Sequence, residues 1–206
     1  MSKNEHLPYE PELNFVDHRL QKLGVLLLPS GGDEVSSELF VTLGIVRKKD
    51  DVRQIKSVTH QFLNGKDFGG GWQRGGAESF YQILKVSLSS GEISYIALKA
   101  IHTMGNIQEK VKSEALRMSL LHRIDRAPRV YAVTPGTLIK EFLLEDEDKL
   151  SKDEQIQDAL TLLREMEQLG IKPSFEFPGS VLGASIQHNS RLYLIDAGSG
   201  DFEGPK

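Results

Sequence analysis

Two charged residues stand at positions where a fold can use them for chemistry. Asp196 follows an apolar segment, residues 191–195, that we interpret as a buried strand, and it precedes Ala197-Gly198. A carboxylate at a strand end, beside a glycine that lets the backbone turn, is a candidate active-site group. Lys99 lies in another predicted strand, where its ammonium can be held by a carboxylate and directed at a phosphate. Each residue is therefore a separate candidate for chemistry, Asp196 as an active-site carboxylate and Lys99 as a cation for a phosphate.

The strand around Lys99 shows why this lysine needs a partner. Residues 92–101 alternate so that Lys99 shares a face with Tyr95, Ala97 and Ile101. An ammonium buried among apolar side chains is costly without an anion beside it. We predict Glu114, on a helix over residues 106–124, as that anion. Glu109 is an alternative partner, and an edge-strand lysine that extends its ammonium into solvent is an alternative interpretation.

A glycine-rich segment precedes this strand. Residues 66–76 contain five glycines, and residues 77–88 form a second predicted strand, joined to residues 92–101 by the turn at 89–91. Glycine allows a close approach of the chain, so a glycine loop on a hairpin can place backbone N–H groups over phosphates. A flexible surface loop is the alternative interpretation.

The elements after the first predicted helix are short strands and one strong helix. Strands are predicted over 129–133 and 137–144, followed by an acidic run that we interpret as a solvated linker. Ser151 and Glu154 form a capping-box pattern at the start of the helix, which ends at Gly170. The apolar positions that predict its buried face are Ile156, Leu160, Leu163 and Met166.

The first 65 residues predict a mainly helical amino-terminal extension. Apolar residues recur at helical spacing over 13–24, 34–46 and 50–63, and glycine or asparagine-glycine ends the first and the third segment. Packing against the rest of the protein, or a surface for a partner, is the expected role of this region.

Composition restricts the class of protein. The chain has 206 residues, 39% of them apolar and 26% charged, with no cysteine and a formal net charge of −4. It therefore offers no thiolate metal site and no basic surface for nucleic acid. There is no apolar run near the roughly 18 residues that span a membrane. We expect a cytoplasmic protein, although a secreted, disulfide-free bacterial effector would have the same composition.

The order of these elements resembles that of the protein-kinase-like superfamily, which includes aminoglycoside and choline kinases. Residues 75–81 are similar to its nucleotide-covering loop, Ala97-Leu98-Lys99 to its third-strand motif, residues 140–143 to its hinge, and Asp196-Ala197-Gly198 to its metal-binding Asp-Phe-Gly. The resemblance implies binding of ATP with Mg²⁺ or Mn²⁺. The residues it implies for the nucleotide are Gly75, Gly76, Lys99, Glu114, Glu141 and Leu143, and those for the metal are Asp196 and Ser180.

The resemblance also implies an architecture. We expect an α+β, two-lobed, protein-kinase-like fold with a small antiparallel sheet and one helix in the amino-terminal lobe. The expected divisions are the extension (1–65), an amino-terminal lobe with glycine loop and hinge (66–144) and a truncated carboxyl-terminal lobe (145–206). Ten residues follow Asp196 in this sequence, so we expect the second lobe to be much reduced.

The catalytic loop departs from the family pattern. Residues 169–182 align without gaps on Leu-Gly-Ile-x-His-Gly-Asp-x-x-Pro-Gly-Asn-Val-Leu, but Pro173 replaces the histidine, Phe175 the catalytic aspartate and Ser180 the asparagine that binds a second metal ion. A phenylalanine cannot orient a nucleophile. Glu176 is the one neighbouring carboxylate that could take over the role.

Two functions of different class follow from the resemblance. One is a nucleotide-binding pseudokinase that acts through a protein partner. The other is an active, minimal phosphotransferase or nucleotidyltransferase, like a bacterial effector or a small-molecule kinase, in which Glu176 or another residue supplies catalysis. The six histidines are scattered without metal-ligand spacing. A third hypothesis is that the order of motifs is a coincidence in an unrelated α+β domain.

Overall fold

The structure is a computed structural model that describes residues 55–60, 72–74, 79–88, 90–101, 105–133, 136–174, 179–198 and 202–204. These residues form a mixed α+β arrangement of antiparallel sheets and a few helices. The helices predicted over 13–24 and 34–46 lie outside the described residues, as does most of the glycine-rich segment. Within the described ranges, no helix is long and apolar enough to cross a membrane.

The largest sheet is antiparallel and has six strands. Its main path runs in the order β1-β3-β4-β6-β5, and β2 also pairs with β3. The strands are β1 (Ile55–His60), β2 (Trp72–Arg74), β3 (Ser79–Leu88), β4 (Ile93–Ile101), β5 (Val130–Val133) and β6 (Thr137–Glu141).

The hairpin of β3 and β4 is the centre of this sheet. Its register runs from Ser79 opposite Ile101 to Ser87 opposite Ile93. Gly91, in the connecting turn, has a φ of 91°, a conformation that glycine adopts without strain. The predicted strands and turn are therefore confirmed, and β4, with β3 on one side and β6 on the other, is held in the sheet interior.

One predicted helix is wrong. Residues 50–63 have helical apolar spacing, but Ile55–His60 is strand β1 and pairs with β3. The segment contains the β-branched residues Ile55, Val58 and Thr59, which favour extended backbone, and long-range pairing decides its conformation. The main sheet therefore begins before residue 66, the predicted start of the amino-terminal lobe.

Helix α1 (Ile107–His122) packs beside the sheet, as the sequence predicts. The side chain of Asn106 accepts a hydrogen bond from the Glu109 amide at 3.3 Å and caps the helix. Its buried face includes Val111, Ala115 and Met118, which join the main apolar core. This face turns Glu114, between Val111 and Ala115, toward the interior.

Helix α2 (Lys152–Gln168) begins with the predicted capping box: the Ser151 hydroxyl accepts from the Glu154 amide, and the Glu154 carboxylate accepts from the Ser151 amide at 2.8 Å. The buried face is rotated from the predicted one. Ala159, Leu162 and Met166 are buried, whereas Ile156 is 40% exposed.

The remaining elements are short. They are β7 (Lys172–Pro173), α3 (Gly179–Gly183), β8 (Ser185–His188), β9 (Arg191–Leu194) and β10 (Phe202–Glu203). Strand β7 pairs with β10, and β8 pairs with β9, all antiparallel. The apolar segment before Asp196 is therefore a buried strand, as predicted.

The acidic run after β6 is anchored rather than a free linker. The Asp146 carboxylate accepts hydrogen bonds from the backbone amides of Ser190 at 2.7 Å and Asn189 at 3.1 Å, in the turn between β8 and β9. Both turn residues have positive φ, and their adjacent amides converge on the carboxylate. These bonds lower the pKa of Asp146 and fasten this segment to the β8–β9 hairpin.

Arg126 joins the loop after α1 to α2 and β9. Its guanidinium binds both oxygens of Asp158 at 2.9 Å and Glu165 at 2.6 Å, and it donates to the Leu192 carbonyl at 3.3 Å. The amide of Leu192 in turn donates to Asp158 at 2.6 Å. This buried network fixes β9, the strand that leads to Asp196.

Candidate functional site

The structure brings Lys99, Glu114 and Asp196 into direct contact. The Lys99 ammonium lies 2.9 Å from each Glu114 carboxylate oxygen and 2.8 Å from Asp196 Oδ1. The three residues come from β4, α1 and the segment after β9, so the two carboxylates lie 15 and 97 residues from the lysine along the chain. Their meeting is a property of the tertiary fold.

Glu114 is the partner of Lys99 because of its place on α1. It is fully buried, whereas Glu109 is exposed in the first turn of the helix. Burial by itself would lower the pKa of Lys99, but the charge of Glu114, assisted by that of Asp196, raises it above the ordinary lysine value. Lys99 is therefore a permanently charged ammonium held in the sheet interior.

Asp196 is the more accessible carboxylate of the pair. Its side chain is 35% exposed, and Oδ1 also accepts a hydrogen bond from the Gly198 amide at 3.1 Å. Burial raises its pKa, but the Lys99 charge and hydrogen bond outweigh burial and hold the pKa below the usual value. A Cβ on Gly198 would lie 3.2 Å from Asp196 Oδ1, which explains the small residue at this position.

Lys140 is a second ammonium on the same face of the sheet. It pairs with Ala97 across β4 and β6, two residues from the pairing of Lys99 with Leu138. Its ammonium donates to the Ile195 carbonyl and lies 4.0 Å from Met118 Sδ. Burial lowers its pKa to about 8, with the Lys99 charge adding to this effect. The sequence prediction placed Lys140 only in the hinge, whose backbone was expected to contact the base. Its position beside Lys99 depends on the pairing of β4 with β6, which the sequence alone did not reveal.

The Tyr81 ring lies beside both lysines. It pairs directly with Lys99 across β3 and β4, and both ammonium groups lie 5.9 Å from the centre of its ring. Burial raises the pKa of Tyr81, so its phenol stays neutral. The sequence pointed to this residue only as the end of the glycine-rich loop.

Arg117 is a third buried cation at the site. Its Nε donates to the Ala197 carbonyl at 2.8 Å, and its Nη2 has no hydrogen-bond partner among the described residues. Burial lowers its pKa, opposed by the charges of Glu114 and Asp196. Counted over the described residues, three cations (Lys99, Lys140, Arg117) thus face two carboxylates (Glu114, Asp196). The cluster has an excess of positive charge and suits an anionic ligand.

The predicted hinge residues lie at the end of β6. The Glu141 amide donates to the Arg129 carbonyl at 2.8 Å, and the Glu141 carboxylate accepts from the Arg129 amide at 3.2 Å. Leu143 follows in the loop and is half-buried. Neither Glu141 nor Leu143 has a described contact with the Lys99 cluster. Lys140, one residue before Glu141, is the part of this strand that lies beside the cluster.

Four predicted site residues cannot be placed in the cluster. Gly75, Gly76 and Glu176 lie outside the described residues, as does Phe175. Ser180 is in α3, and the structure describes its backbone only. The sequence prediction therefore stands untested for these positions.

The described residues fit a metal ion that is bound mainly by the phosphate groups of a substrate and only in part by the protein. They contain no group of three or more histidine or acidic side chains that could hold a metal by themselves. Mg²⁺, however, is commonly bound by one or two carboxylates together with substrate phosphates. Asp196, with its partly exposed carboxylate, can supply such a contact.

Comparisons with known proteins add no assignment to this geometry. No protein-family model matches the chain, and no curated protein matches it at a significant level. The functional interpretation therefore rests on the buried cluster of Lys99, Glu114 and Asp196 and on the two further cations beside it.

Proposed function

We propose that the protein is a kinase-like nucleotide-binding protein, a pseudokinase that acts through a protein partner. The observation that carries this proposal is the contact of Lys99 with both Glu114 and Asp196. In protein kinases a strand lysine paired with a helix glutamate, together with a metal-binding aspartate, must all be in place to hold the nucleotide. The described residues supply the same three groups from a strand, a helix and a strand end.

The arrangement of elements supports a two-lobed, kinase-like fold. In this proposal the main antiparallel sheet with α1 forms the amino-terminal lobe, and α2 with the short strands forms a reduced carboxyl-terminal lobe. Lys99 and Glu114 belong to the first part and Asp196 to the second. A ligand at the cluster would therefore contact both parts.

Each residue has a role in this proposal. Lys99, oriented by Glu114, binds a phosphate oxygen of ATP, and Asp196 contacts the Mg²⁺ or Mn²⁺ that accompanies it. Backbone groups of Glu141 and Leu143 would face the base, and the amides around Gly75 and Gly76 would cover the phosphates. When bound, the metal ion neutralises phosphate charge.

The sequence argues for binding without phosphoryl transfer. Phe175 stands where the family has the aspartate that orients the attacking hydroxyl, and a hydrocarbon ring cannot accept its proton. Such a protein uses the nucleotide to set its conformation for a partner, and we propose that it does so in the cytoplasm.

A thermal-shift experiment tests nucleotide binding. The melting temperature should rise with ATP and Mg²⁺ or Mn²⁺, and Asp196→Asn should reduce the rise. Asp148→Asn removes the same charge from an exposed site and should behave as wild type. The absence of any shift in the wild-type protein under all metal conditions contradicts the proposal.

A transfer assay separates binding from catalysis. We expect no transfer of radiolabelled phosphate or AMP to the protein or to added acceptors. Wild-type transfer that Glu176→Gln abolishes would instead establish the phosphotransferase or nucleotidyltransferase and refute the pseudokinase assignment.

A further inference from the structure

Lys140 is a buried cation for which the proposed function provides no role. It is 4% exposed, and its described hydrogen-bond contacts are the Ile195 carbonyl and Met118 Sδ, neither of which carries a negative charge. A buried ammonium is costly unless an anion compensates it. In Lys99 this cost is offset by Glu114 and Asp196, whereas in Lys140 it is offset only by a carbonyl dipole and more distant charges.

The geometry directs Lys140 toward the same ligand position as Lys99. Directly paired strand residues share a face, so Tyr81, Lys99 and Lys140 lie on one face of the sheet. Both ammonium groups lie 5.9 Å from the Tyr81 ring centre. An anion bound beside Lys99 is thus also close to Lys140, in a buried region where water screens the attraction weakly.

The N–H groups of Lys99 already donate to Glu114 and Asp196, so Lys140 can supply positive charge that is not paired with a carboxylate. An ammonium has three N–H groups, and Lys99 has contacts at 2.9, 2.9 and 2.8 Å with the two Glu114 oxygens and Asp196. A phosphate oxygen can gain a hydrogen bond from Lys99 only at the expense of one of these. Positive charge from Lys140 is not committed to any carboxylate in this way.

We propose that Lys140 is a second cation of the anion site, acting with Lys99 on the phosphate groups of a bound polyphosphate ligand. This inference rests on the proposed function, because it adds a residue to the same site. Binding should then take up protons near pH 8, since an anion nearby favours the charged form of Lys140. The charged and titratable groups that face Lys140 are Tyr81 on β3, Lys99 on β4, Glu114 and Arg117 on α1, and Asp196 after β9.

Calorimetric titration with tripolyphosphate and Mg²⁺ tests this role. The proteins are wild type, Lys140→Met, Lys140→Gln as an uncharged hydrogen-bonding variant, and Lys149→Met as a control that loses an exposed lysine. Titrations at pH 8 in two buffers of different ionisation heat give the number of protons taken up. We expect about tenfold weaker binding by both Lys140 variants, as for the loss of one poorly screened charge. The control should bind as wild type, and proton uptake should fall in the Lys140 variants.

The outcomes separate this inference from the function on which it rests. Affinity within twofold of wild type in both Lys140 variants, with unchanged proton uptake, overturns the role of Lys140 and leaves nucleotide binding intact. No binding by wild type overturns the proposed function, and this inference with it. Circular dichroism and melting of Lys140→Gln establish that a loss of affinity does not come from unfolding.

Discussion

The buried pair of Lys99 and Glu114 predicts that replacing either residue lowers the free energy of unfolding, and that replacing Lys99 lowers it more. Lys99→Met keeps the apolar stem but removes the ammonium, so that fully buried Glu114 loses the cation 2.9 Å away. Two charges at this distance attract by about 6 kcal/mol at an effective dielectric constant of about 20. Breaking a buried pair on one side costs roughly 3–5 kcal/mol. We therefore expect Lys99→Met to lower the free energy of unfolding by about 4 kcal/mol.

Neutralising the partner should restore much of this loss. In the double variant Lys99→Met/Glu114→Gln no buried carboxylate is left without a cation, so the double variant should be more stable than Lys99→Met by about 2 kcal/mol. The single variant Glu114→Gln should cost less than Lys99→Met, since Lys99 retains Asp196 at 2.8 Å. The two substitutions are thus expected to be strongly non-additive.

Urea denaturation of the four proteins measures the coupling energy, provided that the denaturant slopes agree. Lys149→Met is the matched control, because both side chains of the Lys149–Glu145 ion pair are exposed and the pair should contribute little to stability. A Lys99→Met variant within about 1 kcal/mol of wild type, or additive effects of the two substitutions, would show that the pair is not the buried contact described here.

Three further predictions concern stability. The pKa of Lys140 falls from 10.5 to about 8 on folding, so the unfolded chain binds more protons between these values. The free energy of unfolding of wild type, measured relative to Lys140→Met in urea titrations at each pH, should therefore rise by about 2 kcal/mol from pH 8 to pH 10. Arg126→Met should cost roughly 3–5 kcal/mol in the same assay, because it leaves two carboxylates of α2 without their cation, and a cost below 1 kcal/mol would contradict the network. Gly204→Ala should lower the melting temperature, since Gly204 has a φ of +128° and a Cβ there would lie 2.3 Å from the Gly170 carbonyl oxygen; an unchanged melting temperature would refute this close packing.

Local patterns in the sequence predicted the elements that carry the site. Alternation identified β4, and apolar spacing placed α1 with Glu114 on its inner side. The capping pair at Ser151 fixed the start of α2. These features depend on residues close together in the chain, so single-sequence reasoning can detect them.

Features that depend on distant pairing were missed. Strand β1 has helical apolar spacing and becomes extended through pairing with β3. Lys140 and Arg117 join the cluster only through the register of β4 with β6 and the packing of α1 against the Asp196 segment. The meeting of Lys99 with Asp196, 97 residues away, was predicted through the resemblance and not from any local pattern.

The anchor of Asp146 on the β8–β9 turn limits how the main sheet can move relative to the β8–β9 hairpin. The acidic segment that leaves the sheet is fastened within a few residues to the hairpin that leads to Asp196. A rigid-body hinge needs residues whose backbone torsions are free to rotate. Between Glu141 and Asp146 little free backbone remains, because Phe142 donates to the Tyr95 carbonyl at 3.0 Å and the Leu144 carbonyl lies 2.8 Å from His188 Nδ1. Any closing motion around a ligand should therefore pivot at Leu143, and Leu143→Pro should slow ligand association more than it alters stability.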